Sequence, residues 1–242
     1  MKTSNKILLG TFLLVLVIIT AIHAAIYAKY KSNDFVTMQV LHEERYASYK
    51  LNDVRSVSLK ALGNVTIIPS DTAKLEIEKD GRNELRHDIV NGVLTIKGDS
   101  VIDRWSSGMD RVRNDRDVII YLPRIQQIHA EYCRLSVEGA KDSTSAQSFN
   151  IDLFNTELHF ANNGNDGKQD AGNFGKLTLT KASHSSVNFS ENTLTNELNM
   201  AIDSSDFEDG NANFNSISIS TDSGSSVKLS GKNIKKTKFI AQ

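Results

Sequence analysis

Short alternating hydrophobic segments recur in pairs about every twenty residues in the C-terminal half of the chain. Val187, Phe207 and Val227 mark this interval. The last three pairs are Leu177-x-Leu179 with Val187-x-Phe189, Leu198-x-Met200 with Phe207, and Ile217-x-Ile219 with Val227-x-Leu229. One such copy cannot bury its apolar edge alone and must stack on the next. The period therefore predicts a solenoid of short β-strands.

Two copies with a closer internal spacing precede these. They are Ile128-x-Ala130 with Leu135-x-Val137, and Ile151-x-Leu153 with Leu158-x-Phe160. Residues 161–175 are rich in Asn, Gly and Asp and interrupt the period. Because this composition is typical of loops, we expect a mobile insertion at one corner of the solenoid.

The region before the repeats alternates with a period of two, which indicates half-buried strands. Asn91-Gly92 lies between β-branched runs and predicts a hairpin, because both turn positions tolerate positive φ. Residues 101–117 predict a long surface loop. Residues 118–122 predict a buried strand that ends at Pro123, which cannot donate to a ladder. The alternating pairs are Val57-x-Leu59, Val65-x-Ile67 and Leu75-x-Ile77.

Residues 7–28 form an uncharged and mainly apolar segment. At about 1.5 Å per residue, a helix of this length crosses a hydrocarbon core of roughly 30 Å. The length favours an uncleaved transmembrane anchor, and Ala24, Ala25 and Ala28 leave a cleaved signal peptide open as the alternative. Lysines before the segment favour a cytoplasmic N-terminus and an exported body.

We therefore expect an N-terminal membrane anchor or signal segment at residues 1–29, a linker or short helix at 30–52, and a mainly β solenoid at 53–242. A division of the solenoid into two subdomains near residue 123 stays open. Cys133 is the only cysteine, so no intrachain disulfide forms and stacking must stabilise the body. The net charge of −1 and the mixed signs along the chain argue against nucleic acid as a partner.

Polar turns precede the second segment of each of the last three copies. Small hydrogen-bonding residues suit tight corners because their side chains bond nearby backbone groups, and this structural role alone accounts for them. The alternative is a ridge of hydroxyls and carboxylates that binds a ligand. Its candidate residues are Ser183, His184, Ser185, Ser186, Asp203, Ser204, Ser205, Asp206, Ser223, Ser225 and Ser226.

The sequence contains no Gly-x-Ser-x-Gly motif of hydrolases, no His-Glu-x-x-His motif of metalloproteases and no Gly-rich phosphate-binding loop. We expect no cofactor or metal. An acidic group is similar to the carboxylates of β-helical carbohydrate-active enzymes, although a solvated turn is the interpretation we favour. Residues 163–170 contain side chains with oxygen atoms that could bind calcium, but their spacing is not that of an EF-hand calcium loop. The acidic group consists of Asp203, Asp206, Glu208 and Asp209.

The order of these elements resembles the bacterial GIN domain, a head domain of autotransporter adhesins. The resemblance covers residues 53–242. It rests on the stretch 54–69, the sequence NGVLTIKG, the segment VIIYLPRIQQIHAEYC and serine-rich corners such as KASHSS and TDSGSS. It implies a right-handed β-helix or β-solenoid of the cell envelope, without an established enzymatic role.

We therefore expect a non-enzymatic envelope protein that is held in a membrane through residues 7–28 and whose C-terminal domain is exported. Its repetitive surface would bind a glycan or an envelope protein for adhesion. One alternative is a periplasmic scaffold or sensor that assembles with membrane partners through a sheet edge. A third class is a carbohydrate-active β-helix enzyme.

Overall fold

The computed structural model describes residues 3–32, 38–79, 85–98, 102–104, 110–112, 116–161 and 172–240. The chain divides into two compact units, Met1–Glu44 and Arg45–Gln242. Part of the predicted loop at 101–117, most of the predicted insertion at 161–175 and all of the oxygen-rich stretch 163–170 lie outside the described residues.

The helices are α1 (Thr3–Lys31), α2 (Met38–Arg45) and α3 (Gly231–Ile234). The strands of the first half are β1 (Tyr46–Lys50), β2 (Ser56–Pro69), β3 (Lys74–Glu78), β4 (Leu85–Val90), β5 (Val93–Gly98), β6 (Ile102–Arg104), β7 (Asp110–Val112), β8 (Asp117–Leu122) and β9 (Gln127–Glu138). Those of the second half are β10 (Gln147–Phe154), β11 (Glu157–Ala161), β12 (Gly172–Ser183), β13 (Ser186–Phe189), β14 (Thr193–Asp203), β15 (Asp206–Glu208), β16 (Asn213–Thr221), β17 (Ser226–Lys228) and β18 (Thr237–Ile240).

The first unit contains α1, which is long and apolar enough to cross a membrane by length and composition. Its polar side chains bond within the helix: Thr11 and Thr20 donate to the carbonyls of Ile7 and Leu16, at 3.0 and 2.8 Å. His23 Nδ1 lies 2.8 Å from the Ile19 carbonyl oxygen. A lipid environment offers no water to polar groups, so hydrogen bonds within the helix are what a membrane-spanning segment requires. The predicted N-terminal apolar helix is confirmed.

The second unit is the predicted solenoid, and each coil has two arms that meet at a corner. β9 shows both arms in one strand: its first half lies beside β10 and its second half beside β11, and both pairings are parallel. The first arms continue in parallel through β12, β14, β16 and β18. The second arms continue through β13, β15 and β17. The two segments of each sequence repeat are therefore the two arms of one coil.

The register confirms the twenty-residue period. Val187, Phe207 and Val227 are direct neighbours in the second-arm stack, and Leu198 lies between Leu177 and Ile217 in the first-arm stack. These positions are buried, apart from the half-buried Val227. Stacking equivalent residues on one another is how a single repeat buries its apolar edge.

In chain order the solenoid begins at β2, before the hydrophobic repeat starts. In space β5 and β8 form a further coil, because they pair in parallel with the first and second arms of β2. Val57-x-Leu59 and Val65-x-Ile67 belong to one strand, which pairs in parallel with β9 through Val57–Ile128 and Val65–Leu135. A register irregularity between Leu62 and Asn64 adds a residue to this coil. That extra residue is why the spacing in the first coil differs from the spacing in the next two.

Antiparallel strands lie at the N-terminal end of the stack. β3 pairs with β8, and β1 pairs with β3, so part of the predicted linker is a strand. Arg45 adds to this pairing through a 2.8 Å ion pair with Glu78. β4 and β5 form the predicted hairpin, and its turn residues Asn91 and Gly92 have φ of 52° and 77°. The hairpin and the strand before Pro123, β8, are both confirmed.

Phenylalanines fill the interior of the later coils. Phe189 stacks on Phe160 with ring centroids 4.3 Å apart and contacts Phe207 and Phe214 edge to face. Such geometries add to the free energy gained from area burial. The core therefore runs continuously from coil to coil.

A buried carboxylate organises the last described coil. Asp209 Oδ2 accepts hydrogen bonds from the backbone N–H and the hydroxyl of Ser230 and from Asn233 Nδ2, each at 2.7 Å. Asn233 also donates to the Ala212 carbonyl at 2.8 Å. These contacts fix α3 on the coil. Burial opposes ionisation of Asp209, but the hydrogen bonds from Asn233 and Ser230 outweigh it and hold its pKa below the ordinary value.

We predict that Asp209→Asn destabilises the purified full chain at neutral pH by about 1.5–3 kcal/mol, the usual range for hydrogen bonds to a charged group. A lowered folded-state pKa means that the stabilisation is present above the unfolded pKa and is lost as pH falls through the folded value. The unfolding temperatures of the wild type and the variant should therefore approach each other as the pH falls below about 4. Asp206→Asn, at an exposed position, is the control. A gap that does not change with pH contradicts the prediction.

Candidate functional site

Five successive coils turn their corner at a residue with positive φ. These residues are Ala61, Tyr132, Asn155, His184 and Ser204, with φ between 46° and 56°. The strand registers on either side stack them in one column. Non-glycine residues adopt this left-handed conformation at a cost, so neighbouring interactions must hold each corner in place.

A ladder of hydroxyls, three of them buried and the last half-buried, supplies those interactions, and we call it the hydroxyl ladder. It consists of Thr156, Ser185, Ser205 and Ser225. Each hydroxyl accepts a hydrogen bond from the backbone N–H at the same position in the preceding coil: Thr156 from Cys133, Ser185 from Thr156, Ser205 from Ser185, and Ser225 from Ser205. The distances run from 3.0 to 3.4 Å.

The same hydroxyls also donate back to the backbone of the corner. Ser185 donates to the Ser183 carbonyl at 2.8 Å, and Ser205 donates to the carbonyls of Ala182 and Asp203. The side chain of Ser225 donates instead to the carboxylate of Asp222. Ser185 and Ser205 are only 1% and 3% exposed. Their role is therefore structural.

The predicted ridge divides into an interior and an exterior. Ser183, Ser185 and Ser205 are buried, while Ser186 and Ser225 are half-buried. The exposed members are His184, Asp203, Ser204, Asp206, Ser223 and Ser226. All of them lie along one corner of successive coils, and the exposed members are the ones that a ligand can reach.

The corner also presents an aromatic row that was not among the predicted site residues. Phe154 is 38% exposed, and its ring centroid lies 5.4 Å from that of Tyr132 and 6.1 Å from that of His184, both edge to face. The three rings belong to three successive coils. The signal in the sequence was a large aromatic at an outward position of β10, between the inward-facing Leu153 and the corner.

Carboxylates follow the aromatic row along the same corner. Ser204 donates to Asp203 at 3.3 Å, and the Ser204 backbone N–H donates to Asp222 at 3.1 Å. The Ser225 hydroxyl and the Ser204 N–H hold the pKa of Asp222 below its ordinary value. The corner surface, as we call Tyr132, Phe154 and His184 together with Asp203, Ser204 and Asp206, is therefore aromatic at one end and acidic at the other.

The remaining candidate chemistry separates in space. Asp209 is buried in the α3 contact, whereas Asp203 and Asp206 are exposed, so the acidic group of the sequence is not one cluster on the surface. Burial raises the pKa of the Cys133 thiol to about 12, which makes it a poor nucleophile. Within the described ranges, no group of three or more His, Cys, Asp or Glu is placed to hold a metal ion.

Residues 56–242 match the family model described as Toastrack DUF4097. The chain belongs to this Toastrack family. Its first coil at β2 and its last described strand, β18, both lie within the matched range, so the family covers the whole stack of coils. The resemblance to the GIN domain stays a prediction. None of the curated proteins matches the sequence.

Several solved structures are similar to this Toastrack protein at low identity. A putative adhesin from Parabacteroides merdae ATCC 43184 is 10% identical with a TM-score of 0.44, over 75% of this chain and 79% of that one. A putative adhesin from Bacteroides fragilis NCTC 9343 is 12% identical with a TM-score of 0.30, over 81% and 94%. A putative lipid binding protein from Parabacteroides distasonis ATCC 8503 is 11% identical with a TM-score of 0.29, over 81% and 96%.

We predict that Ser205→Ala destabilises the Toastrack unit by about 1–3 kcal/mol, because the Ser185 N–H loses its acceptor in a buried site. Ser226→Ala, one residue beyond the ladder and exposed, is the matched control and should change stability by less than about 0.5 kcal/mol. Urea unfolding of the full chain in detergent, followed by circular dichroism, measures both. Equal effects of the two substitutions would contradict the ladder.

Proposed function

We propose that this Toastrack protein is a non-enzymatic, membrane-anchored and exported binding module, with the adhesin-like role that the GIN resemblance implies. α1 would hold the chain in the membrane, and the solenoid would bind a glycan or another envelope protein for adhesion. The observation that carries the proposal is the aromatic row in which Phe154 and His184 are exposed and Tyr132 is half-buried. The buried serines of the corner are explained by their hydrogen bonds in the hydroxyl ladder. The three rings take no part in that ladder.

The chemistry of the corner surface suits a neutral sugar chain. Pyranose rings have apolar C–H faces that pack on aromatic rings, and their hydroxyls donate to carboxylates such as Asp203 and Asp206. The rings and carboxylates lie on a rigid stack, so little side-chain entropy is lost when they bind. Each contact is weak, and adhesion would arise from many copies that engage a repetitive ligand together.

We predict that Phe154→Ser lowers binding of the full chain to densely immobilised neutral oligosaccharides by at least about fivefold, since one stacking contact is worth roughly 1 kcal/mol. His184→Ala should weaken the same binding. Phe239→Ser, the same substitution at an exposed ring on β18, is the matched control. Surface plasmon resonance across an oligosaccharide panel, with the protein in detergent micelles, gives the measurement. If the wild type binds no member of the panel, or if Phe239→Ser causes the same loss, the corner is not the binding surface.

The last described strand favours the scaffold as a second candidate function. β18 pairs with β16 alone among the described strands, and Phe239 and Ile240 are 58% and 47% exposed. Phe239 lies in register with the buried Ile219, so its side chain occupies a core position that no other strand among the described residues covers. An open edge with apolar side chains is a template for strand addition by a partner.

We predict that, if the scaffold function holds, a photo-crosslinking amino acid at position 239 gives a discrete adduct in living cells and one at position 154 gives none. The opposite pattern supports the corner surface as the contact. Phe239→Ser should remove the partner from the detergent-extracted complex, which sedimentation velocity detects as a smaller species. Adducts at both positions, or no change in sedimentation, would argue against assembly through β18.

A further inference from the structure

A second surface of the solenoid forms a polar groove with a volume of about 1100 Å³. It is lined by Arg55 and by loops that lead away from the second arms: residues 69–71 after β2, 123–126 between β8 and β9, and 140–148 leading from β9 into β10. We call it the loop groove. None of the corner-surface residues lines it.

The walls of the loop groove are held in place by hydrogen bonds. Gln147 clamps the loop after β8: its Oε1 accepts from the Ile125 N–H at 2.9 Å, and its Nε2 donates to the Pro123 carbonyl at 3.1 Å. The Gln126 N–H donates to the Arg55 carbonyl at 2.7 Å. The loops therefore form a preorganised surface, which lowers the entropic cost of binding.

Three cations line this groove: Arg55, Arg124 and Lys141. All three are exposed, and none has a hydrogen bond or ion pair from its side chain within the described part of the chain. Two carboxylates, Asp71 and Asp142, also line the groove. Asp142 is occupied by its own turn, where Thr144 and Ser145 donate to it at 2.6 to 3.1 Å.

On the flat faces of the coils, by contrast, several cations form ion pairs. Each of several exposed cations on strands meets a carboxylate of the adjacent coil at 2.5 to 3.3 Å. These pairs are Lys60–Glu131, Arg134–Glu157, Lys176–Glu197 and Lys228–Glu208. Internal pairing therefore neutralises these four cations on the strands, whereas the three cations of the loop groove form no ion pair within the described part of the chain.

Neutral hydrogen-bonding groups also line the loop groove. The Gln126 amide and the Ser70 hydroxyl line the groove together with Thr144, and amides and hydroxyls both donate to and accept from sugar hydroxyls. Arginine binds carboxylates through two parallel hydrogen bonds. We propose that the loop groove binds an acidic polysaccharide, with its carboxylates on Arg55, Arg124 and Lys141 and its hydroxyls on the neutral groups. This site is distinct from the corner surface and goes beyond the proposed function.

The test uses the full chain in a neutral detergent, titrated with oligogalacturonate and with its methyl ester, which has the same sugar backbone without the charge. We expect binding of the acid and no binding of the ester. The triple variant Arg55→Gln, Arg124→Gln and Lys141→Gln should weaken binding at least about tenfold. The matched control, Lys97→Gln with Lys181→Gln and Lys238→Gln, removes the same charge from exposed positions outside the groove and should weaken it less than about twofold.

Four outcomes would overturn the loop groove as a polysaccharide site. They are no binding of oligogalacturonate, equal binding of the methyl ester, equal loss in the two triple variants, and equal affinity for polyglutamate. A further variant distinguishes the loop groove from the corner surface: Phe154→Ser should leave oligogalacturonate binding unchanged. A loss caused by Phe154→Ser and not by the groove variant would assign acidic sugars to the corner.

Discussion

The constraint on which this solenoid depends is that every corner must bury a backbone N–H and supply it with an acceptor. Parallel strands satisfy one another along the arms, but the chain leaves that pattern where φ turns positive. In four successive coils the hydroxyl ladder supplies that acceptor from one side chain per coil. Ser185 and Ser205 also donate to the corner backbone. An orphaned N–H at each corner would cost about 1–3 kcal/mol, and the cost would recur in every coil.

The ladder also decides which parts of the surface are available for function. Its side chains at 156, 185 and 205 point inward, so the outer corner carries residues that come one or two positions before them: Phe154, His184, Asp203 and Ser204. On the flat faces, four of the cations pair with carboxylates of an adjacent coil. The corner surface and the loop groove are thus regions where polar or aromatic groups stay open after the stack has satisfied itself, and two binding chemistries, aromatic and cationic, fall on different surfaces.

Much of the fold follows from local patterns, because solenoid contacts are periodic and each strand pairs mainly with its equivalent in the next repeat. The spacing of Val187, Phe207 and Val227 gave the period, and Asn91-Gly92 gave the hairpin. The predicted solenoid at 53–242 included β2, but the hydrophobic repeat itself was recognised only from Ile128 onward, since an irregularity near Leu62 shifts the spacing in β2. The sequence did not reveal β1, because that strand depends on pairing with β3 and on the contact between Arg45 and Glu78.

The sequence by itself determined the apolar N-terminal helix, the mainly β character, the repeat and the position of the polar corners. Only the tertiary structure decided which corner serines are buried, because burial depends on the direction in which the chain turns at each positive-φ residue. It likewise decided that Tyr132, Phe154 and His184 form one row and that Arg55, Arg124 and Lys141 share one groove. These residues are far apart in sequence, and no local pattern encodes which coils or loops bring them together.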